Sequence, residues 1–319
     1  MFEIEKSIGK GAFGKVFLVT MKTTGKQYAM KVLNKKEIIK NRLIRYAVTE
    51  KNVVTKIEHP FIVRCYFSFQ TKDMLYMILE YCPNGNLGDL LDNVNNLSED
   101  HTKMYAAEIL LALEELHKHD IIYRDLKPDN IVIDEEGHAK LTDFGLSKEG
   151  VRDDKITMSF WGSAAYLAPE MIKRNGHGKP VDWYLLGILI YEMLSGIPPY
   201  YSSDGKAMMK NILKQPLRLP RFVSQKARHL LLSLLSKDPE KRLGSGKSGA
   251  SSIKEHPWFD DYDWDNVYNR QLKVPKEFQD KLVDKSLNSM NSRLLANDDL
   301  NVSKQADNHI DDWSFHHES

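Results

Sequence analysis

The 319-residue chain carries only two cysteines, Cys65 and Cys82, in separate apolar segments. Two thiols supply neither a disulfide framework nor a metal quartet, and they suit a reducing compartment. A long apolar run is lacking too. The greasiest stretch, YLLGILIYEML (184–194), is broken by Glu192 and falls far short of the ~20 residues that span a bilayer. The opening MFEIEKSIGKG has no apolar core of the secretory type, so a cytoplasmic or nuclear protein without a transmembrane segment is expected. Excess charge of either sign is also missing, with 45 Lys and Arg against 44 Asp and Glu. That balance argues against binding nucleic acid or membrane through bulk charge and leaves only local patches for such work. No internal repeat is visible. GSGKSGASS (244–252) has the composition of a flexible loop but fails as a Walker A loop, because Lys241 stands five positions before Gly246 where glycine is needed.

What remains is ordinary globular composition, 42% hydrophobic and 28% charged, long enough for a full core and about two domains. The first eighty residues read as short strands: FEIEKSIGK, KVFLVTM, QYAMKVLN, VRCYFSFQ and MLYMILEY, with turn signals at Thr24-Gly25 and Thr71-Lys72-Asp73. One helical pattern interrupts them, NRLIRYAVTEKNVVTKIEH (41–59), with Ile44, Ala47, Val48, Val54 and Ile57 near helical spacing. After residue 86 the character turns helical. SEDHTKMYAAEILLALEELHKHD offers Ser98 as an N-cap, acids in its first turn and His/Lys in its last. VDWYLLGILIYEMLSG is apolar on nearly every face and stops at Gly196, which predicts a helix inside a core. EYCPNGNLG is the joint between the two parts, and from about residue 275 polarity rises and periodicity fades as in an extended tail.

Between two β-branched runs, IIYRDLKPDNIVI (121–133) crowds Arg124, Asp125, Lys127, Asp129 and Asn130. A solvated hairpin tip is one reading. The other is a set of charges kept because they are paired, metal-bound or used, since isolated buried charges are costly. GKGAFGKV (9–16) spaces Gly9, Gly11 and Gly14 so that backbone N–H groups can approach phosphates. A glycine-rich hairpin or a dinucleotide fold shares that spacing, but here the loop leads into another strand and not a helix. Lys31 lies within the strand-like YAMKVL, and Glu50 on the following helix could pair with it and hold the ammonium against phosphate oxygens. LTDFGLS (141–147) places Asp143 eighteen residues after Asp125, across a hairpin-like IVIDEEGHAKL.

Taken in order, GxGxxGxV, AMK, RDLKPxN, DFG and APE (168–170) resemble the eukaryotic protein kinases over residues 2–259. The resemblance implies a bilobal α+β fold, with a β-rich N-lobe (2–81), a hinge at about 80–84, a mainly α C-lobe (85–259) and a tail (260–319). It implies ATP and Mg²⁺ as cofactors. Gly9, Gly11, Gly14, Val16, Lys31, Glu80 and Cys82 would surround the nucleotide, with Lys31 on its α/β-phosphates and paired to Glu50. Asp125 would orient the substrate hydroxyl and accept its proton, Lys127 would neutralise the moving phosphoryl, and Asn130 and Asp143 would hold the metal. Lys127 in this motif resembles the Ser/Thr kinases, so the implied partners are proteins bearing Ser or Thr. A nucleotide-binding pseudokinase or scaffold is the alternative, and the presence of Lys31, Asp125 and Asp143 weighs against it.

Tyr123, FSFQTKDMLYMILEY, TMSFWGSAAYLAPE and DPEKRLG together resemble the AGC group, as does HPWFDDYDWDNVYNRQLKVP beyond the domain. By that resemblance an upstream kinase phosphorylates Ser159, with Thr157 the nearby alternative, and the phosphate faces Arg124 and Lys148. Arg242 pairs with Glu170. IDDWSF (310–315) resembles the hydrophobic motif that docks in cis on the N-lobe, with Ile310 and Trp313 as anchors and Ser314 as the phosphorylated position. The implied molecule is a monomer.

Several residues depart from the pattern. GSAAYLAPE replaces the usual GTPEYLAPE, so that Ser163 stands for threonine while Ala164 and Ala165 remove a proline and an acid. Asn86 stands where AGC kinases carry an acid for a substrate arginine, although Asp129 and Glu192 of that surface are kept. A weakened preference for basic substrates is expected. LNSMNSRLLANDD has no aromatic tether for the tail, and a TP turn motif is missing.

Overall fold

The computed structural model describes residues 2–10, 14–149, 164–174, 176–274 and 309–317. The N-terminal part is an antiparallel sheet built from β1 (Phe2–Lys10), β2 (Gly14–Met21), β3 (Gln27–Asn34), β4 (Cys65–Gln70) and β5 (Met74–Leu79). Two helices, α1 (Lys35–Lys40) and α2 (Ile44–Lys56), lie between β3 and β4. The alternation of buried and less buried positions along QYAMKVLN is the reason Lys31 points where it does. Tyr28, Met30 and Val32 pack on one face with Phe17, Val19 and Ile78, which turns Lys31 to the opposite face, since successive strand side chains alternate. Gly14 opens β2 where a Cβ would lie 2.3 Å from the Val32 carbonyl, so only glycine lets β2 run this close to β3. The single helix expected over 41–59 is shorter and is preceded by α1. Asn34 caps α1 by accepting from the Glu37 N–H, and six residues are too few to give a periodic signal.

Residues 80–86 connect β5 to α3 (Leu87–Val94), where the joint was expected. Beyond lie α4 (Glu99–Lys118), the short hairpin strands β6 (Ile121–Ile122), β7 (Ile131–Ile133), β8 (Ala139–Leu141) and β9 (Lys148–Glu149), then α5 (Pro169–Lys173) and α6 (Pro180–Ser195). The Ser98 hydroxyl accepts from the His101 N–H at the start of α4, as its sequence signature predicts. α6 is buried from Val181 through Leu194. It ends at Gly196, whose φ of 82° and the approach of Asn95 O to 2.5 Å from a built Cβ both demand glycine. Helices α7 (Gly205–Lys214), α8 (Gln225–Leu234), α9 (Ala250–Lys254) and α10 (Trp264–Tyr268) complete the helical lobe, α9 taking up the end of the stretch read as a loop. Buried Arg242 forms a two-pronged pair with Glu170, 2.7 and 3.0 Å, joining the C-terminal lobe to the APE turn.

Residues 309–317 return to the sheet. β10 (Phe315–His316) pairs antiparallel with β4, Phe315 opposite Ser68 and His316 opposite Phe67. Ile310 and Trp313 are buried, and the indole N–H of Trp313 donates to Phe69 O at 3.0 Å. Gln70 accepts from Ile310 N–H and donates to Ile310 O. Lys51 on α2 reaches the Asp312 carbonyl at 2.6 Å.

Candidate active site in the cleft between the lobes

The face of β3 turned away from the outer cluster delivers Lys31 to the cleft, with Val16 directly across the ladder from it. There its Nζ meets two carboxylates at 2.5 Å each, Glu50 of α2 and Asp143 after β8. Burial works against the Lys31 charge, but Asp143 and Glu50 more than offset it and hold the ammonium ionised above the ordinary lysine range. Lys31 in turn pulls the Asp143 carboxyl below the usual carboxylate range. Glu50 is the exception: burial, aided by the Asp143 charge, raises its carboxyl although Lys31 draws it down. One cation thus ties a strand, a helix and the DFG turn together. Asp143 sits at φ 62° and ψ 69°, in the left-handed region that few residues other than glycine adopt.

Below it, the loop 123–130 is bolted to α6. The fully buried Asp182 accepts from the Tyr123 N–H at 2.9 Å and the Arg124 N–H at 2.8 Å, and His117 of α4 lies 2.7 Å from the same carboxylate. Tyr123 is buried, its hydroxyl donating to Thr142 O at 2.6 Å, which links this loop to the strand that leads to Asp143. Arg124 adopts φ 67° and gives its guanidinium to Leu146 O. So held, the loop presents Asp125 with Lys127 Nζ at 2.9 Å and Asn130 Nδ2 at 2.7 Å from its carboxylate. Burial raises the Asp125 carboxyl, opposed by Lys127 and Asn130 and reinforced by Asp143. A carboxylate that is held in place and more basic than usual suits a proton acceptor.

Asn130 spends its amide N–H groups on Asp125, through the backbone carbonyl as well as the carboxylate, and this leaves its amide oxygen as a donor to metal. That oxygen and the ionised Asp143 are hard ligands of the type Mg²⁺ takes when phosphates and water complete its shell. The residues present therefore fit Mg²⁺, which Asn130 and Asp143 would hold.

In the segment between β5 and α3, Glu80 pairs with Lys140 at 2.7 Å, and Cys82 is half-buried, its thiol pushed up by burial. Of the glycine-rich segment, Gly9 is opposite Val16 and a Cβ there would meet only ordinary contacts. Gly11 lies outside the described residues, as do Thr157, Ser159 and Ser163, and nothing is described of the Lys148 side chain. Ala164 and Ala165 are buried in a 3-10 turn. Asp129 is exposed beside Gly88 of α3. Glu192 is buried on α6 with one oxygen accepting from the Tyr166 hydroxyl at 2.9 Å and the other without a partner among the described residues. Asn86 is the N-cap of α3, accepting from the Asp89 N–H at 2.8 Å. Ser314 is exposed. Sequence reasoning missed Asp182 and His117. The signal was present, because a carboxylate on a helix apolar all round is itself an anomaly.

The chain is similar to known proteins over most of its length. The family model described as "Protein kinase domain" matches residues 2–259. The chain is 46% identical over 276 residues to a RAC family serine/threonine-protein kinase homolog of Dictyostelium discoideum, covering 86% of this chain and 61% of the relative. It is 45% identical over 271 residues to serine/threonine-protein kinase AtPK1/AtPK6 of Arabidopsis thaliana, covering 85% and 58%. With serine/threonine-protein kinase sgk-1 of Caenorhabditis elegans it shares 44% over 275 residues, covering 86% and 59%. The chain spans a little over half the length of these relatives. A family model matching most of the chain, with relatives of this kind in the AGC group, shows that the chain belongs to the protein kinase family.

Proposed function

We propose that the chain transfers the γ-phosphoryl of ATP to serine or threonine of protein substrates. The observation that carries this reading is the meeting of two clusters, Lys31–Glu50–Asp143 and Asp125–Lys127–Asn130, in one cleft. Lys31 is held ionised to receive phosphate oxygens, and Glu50 keeps it from collapsing onto Asp143 alone. Asp125 accepts the hydroxyl hydrogen bond and orients the nucleophile in line. Lys127, 2.9 Å from Asp125, stands where a second positive charge meets the oxygens in flight. Asn130 and Asp143 would hold Mg²⁺, which supplies charge neutralisation on the phosphates. Catalysis of this kind is mostly positioning and electrostatics.

Glycines 9, 11 and 14, Val16, Glu80 and Cys82 frame the nucleotide in this reading. Asp129 and Glu192 favour a basic residue near the phosphorylated one, modestly, because Asn86 is spent on capping α3 and carries no charge. An upstream kinase acts on Ser159, and Arg124 beside Asp125 receives the phosphate. The tail docks in cis, supported by the β10–β4 pairing, with exposed Ser314 open to phosphorylation that tunes the docked state. The two unpaired thiols support a reducing compartment, cytoplasmic or nuclear, and the working form is a monomer. Among the described residues no helix is long and apolar enough to cross a membrane. The test is transfer from γ-labelled ATP to a serine peptide by the wild type and by Asp143→Ala. Label in the first and background in the second is expected; equal background in both refutes the reading.

A further inference from the structure

We propose that Arg270, in the segment after the domain, is a positioning residue for the nucleotide hinge. The inference rests on the kinase reading, in which residues 80–84 border the adenine.

The backbone gives the first sign. α10 ends in a Schellman turn: Gln271 N–H bonds Asn266 O at 2.9 Å and Arg270 N–H bonds Val267 O at 2.9 Å. The residue between, Arg270, has φ 59°, the position where helices favour glycine because a Cβ is disfavoured there. At this strained position the side chain is itself anchored. Its guanidinium reaches back across 134 residues or more to the β7–β8 turn, 2.5 Å from Asp134 and 3.0 Å from Glu136. Asp134 is itself buried, with one oxygen accepting from the Glu136 and His138 N–H groups at 3.0 Å each. Only its other oxygen is left for Arg270.

That turn is stitched to the hinge. Asn84 donates its side-chain amide to the Asp134 carbonyl at 2.5 Å and its backbone N–H to Ile133 O at 3.2 Å, while Ile133 N–H bonds Gly85 O at 2.9 Å. A two-carboxylate clamp on the turn therefore fixes the backbone to which the hinge is bonded. None of these atoms lies among the groups that move the phosphoryl, so the effect falls on nucleotide affinity and leaves the chemical step alone.

The Schellman geometry supplies its own control. Arg270→Gly relieves the backbone strain while deleting the clamp, so the variant keeps its Tm within a few degrees of wild type. The loss of a relayed, charge-assisted bond predicts an ATP KM about three- to ten-fold higher, with kcat and peptide KM unchanged. Both bonds leave one nitrogen, Nη2, so Arg270→Lys keeps a single charged donor on a side chain one atom shorter and falls between the two. Asp134→Asn weakens the pair from the other side, keeps an oxygen for the turn, and moves ATP KM in the same direction. An unchanged ATP KM in both Arg270→Gly and Asp134→Asn overturns the proposal, as does a parallel fall of kcat with a rise of both KM values. Titration with a fluorescent ADP reads the same shift without transfer. If wild type binds that nucleotide yet transfers nothing, the function reading fails and the Arg270 test still stands on Kd; if it binds none, both fall.

Discussion

Glu192 shows how burial, with nearby charges, can set the working range of a side chain. Its carboxyl is pushed up to about 7 by burial and by the Asp129 and Asp92 charges, against the hydrogen bond from Tyr166. Were the site to select a substrate arginine, it would need Glu192 ionised, and the ionised share climbs from about a tenth at pH 6 to about nine-tenths at pH 8. The preference for an arginine-bearing peptide over its alanine counterpart, measured as a ratio of kcat/KM, is therefore expected to grow several-fold over that range. Glu192→Gln flattens the ratio, and a ratio independent of pH in the wild type removes Glu192 from recognition. Stability runs the other way. The folded carboxyl holds its proton more tightly than the ordinary 4.5, so its contribution is fully present below that value and is lost as pH rises through about 7. Asn86 is the opposite case: it carries no charge and serves as the N-cap of α3, a local role in which Asn is as good as Asp.

At the scale of elements, α2 is the member through which distant parts reach the chemistry. Glu50 faces Lys31, and the next residue, Lys51, holds the Asp312 carbonyl of the returning tail. Strand addition at β4, the buried Ile310 and Trp313 and the Gln70 bridge seat the tail through main-chain bonds and apolar contact. Trp313→Ala deletes a fully buried side chain and its bond to Phe69, changes that in a core cost about 3–5 kcal/mol. Here the segment can lift off, so the expected outcome is faster amide exchange along β4 and α2 with kcat/KM down about ten-fold. Unchanged exchange at β4 would show that the tail makes no stabilising contact there.

For the whole molecule, what was legible in the sequence was what is local. The glycine spacing, the YRDLKPDN cluster, the DFG turn and the caps at Ser98 and Gly196 are decided within a few residues, so each could be read directly. The Asp182 anchor, the Arg270 clamp and β10 could not. They join positions 58, 136 and about 250 residues apart, and each partner read alone looks like an ordinary charged or terminal residue. α1 escaped because its one cap and six residues carry no period. The crowding of charges between two apolar strands had two readings from sequence. The geometry favours use, because Asp125, Lys127 and Asn130 satisfy one another within 3 Å while facing the Lys31–Asp143 pair.

That arrangement is tested most directly by Asp125→Asn, an isosteric change that removes the proton acceptor and leaves the Lys31 cluster intact. Initial rates of transfer from γ-labelled ATP to a serine peptide, taken beside nucleotide affinity, separate chemistry from binding. The account predicts that wild type labels the peptide while kcat of the variant falls about 10²–10⁴-fold with its nucleotide Kd within a factor of two. A variant that transfers as fast as wild type would contradict it.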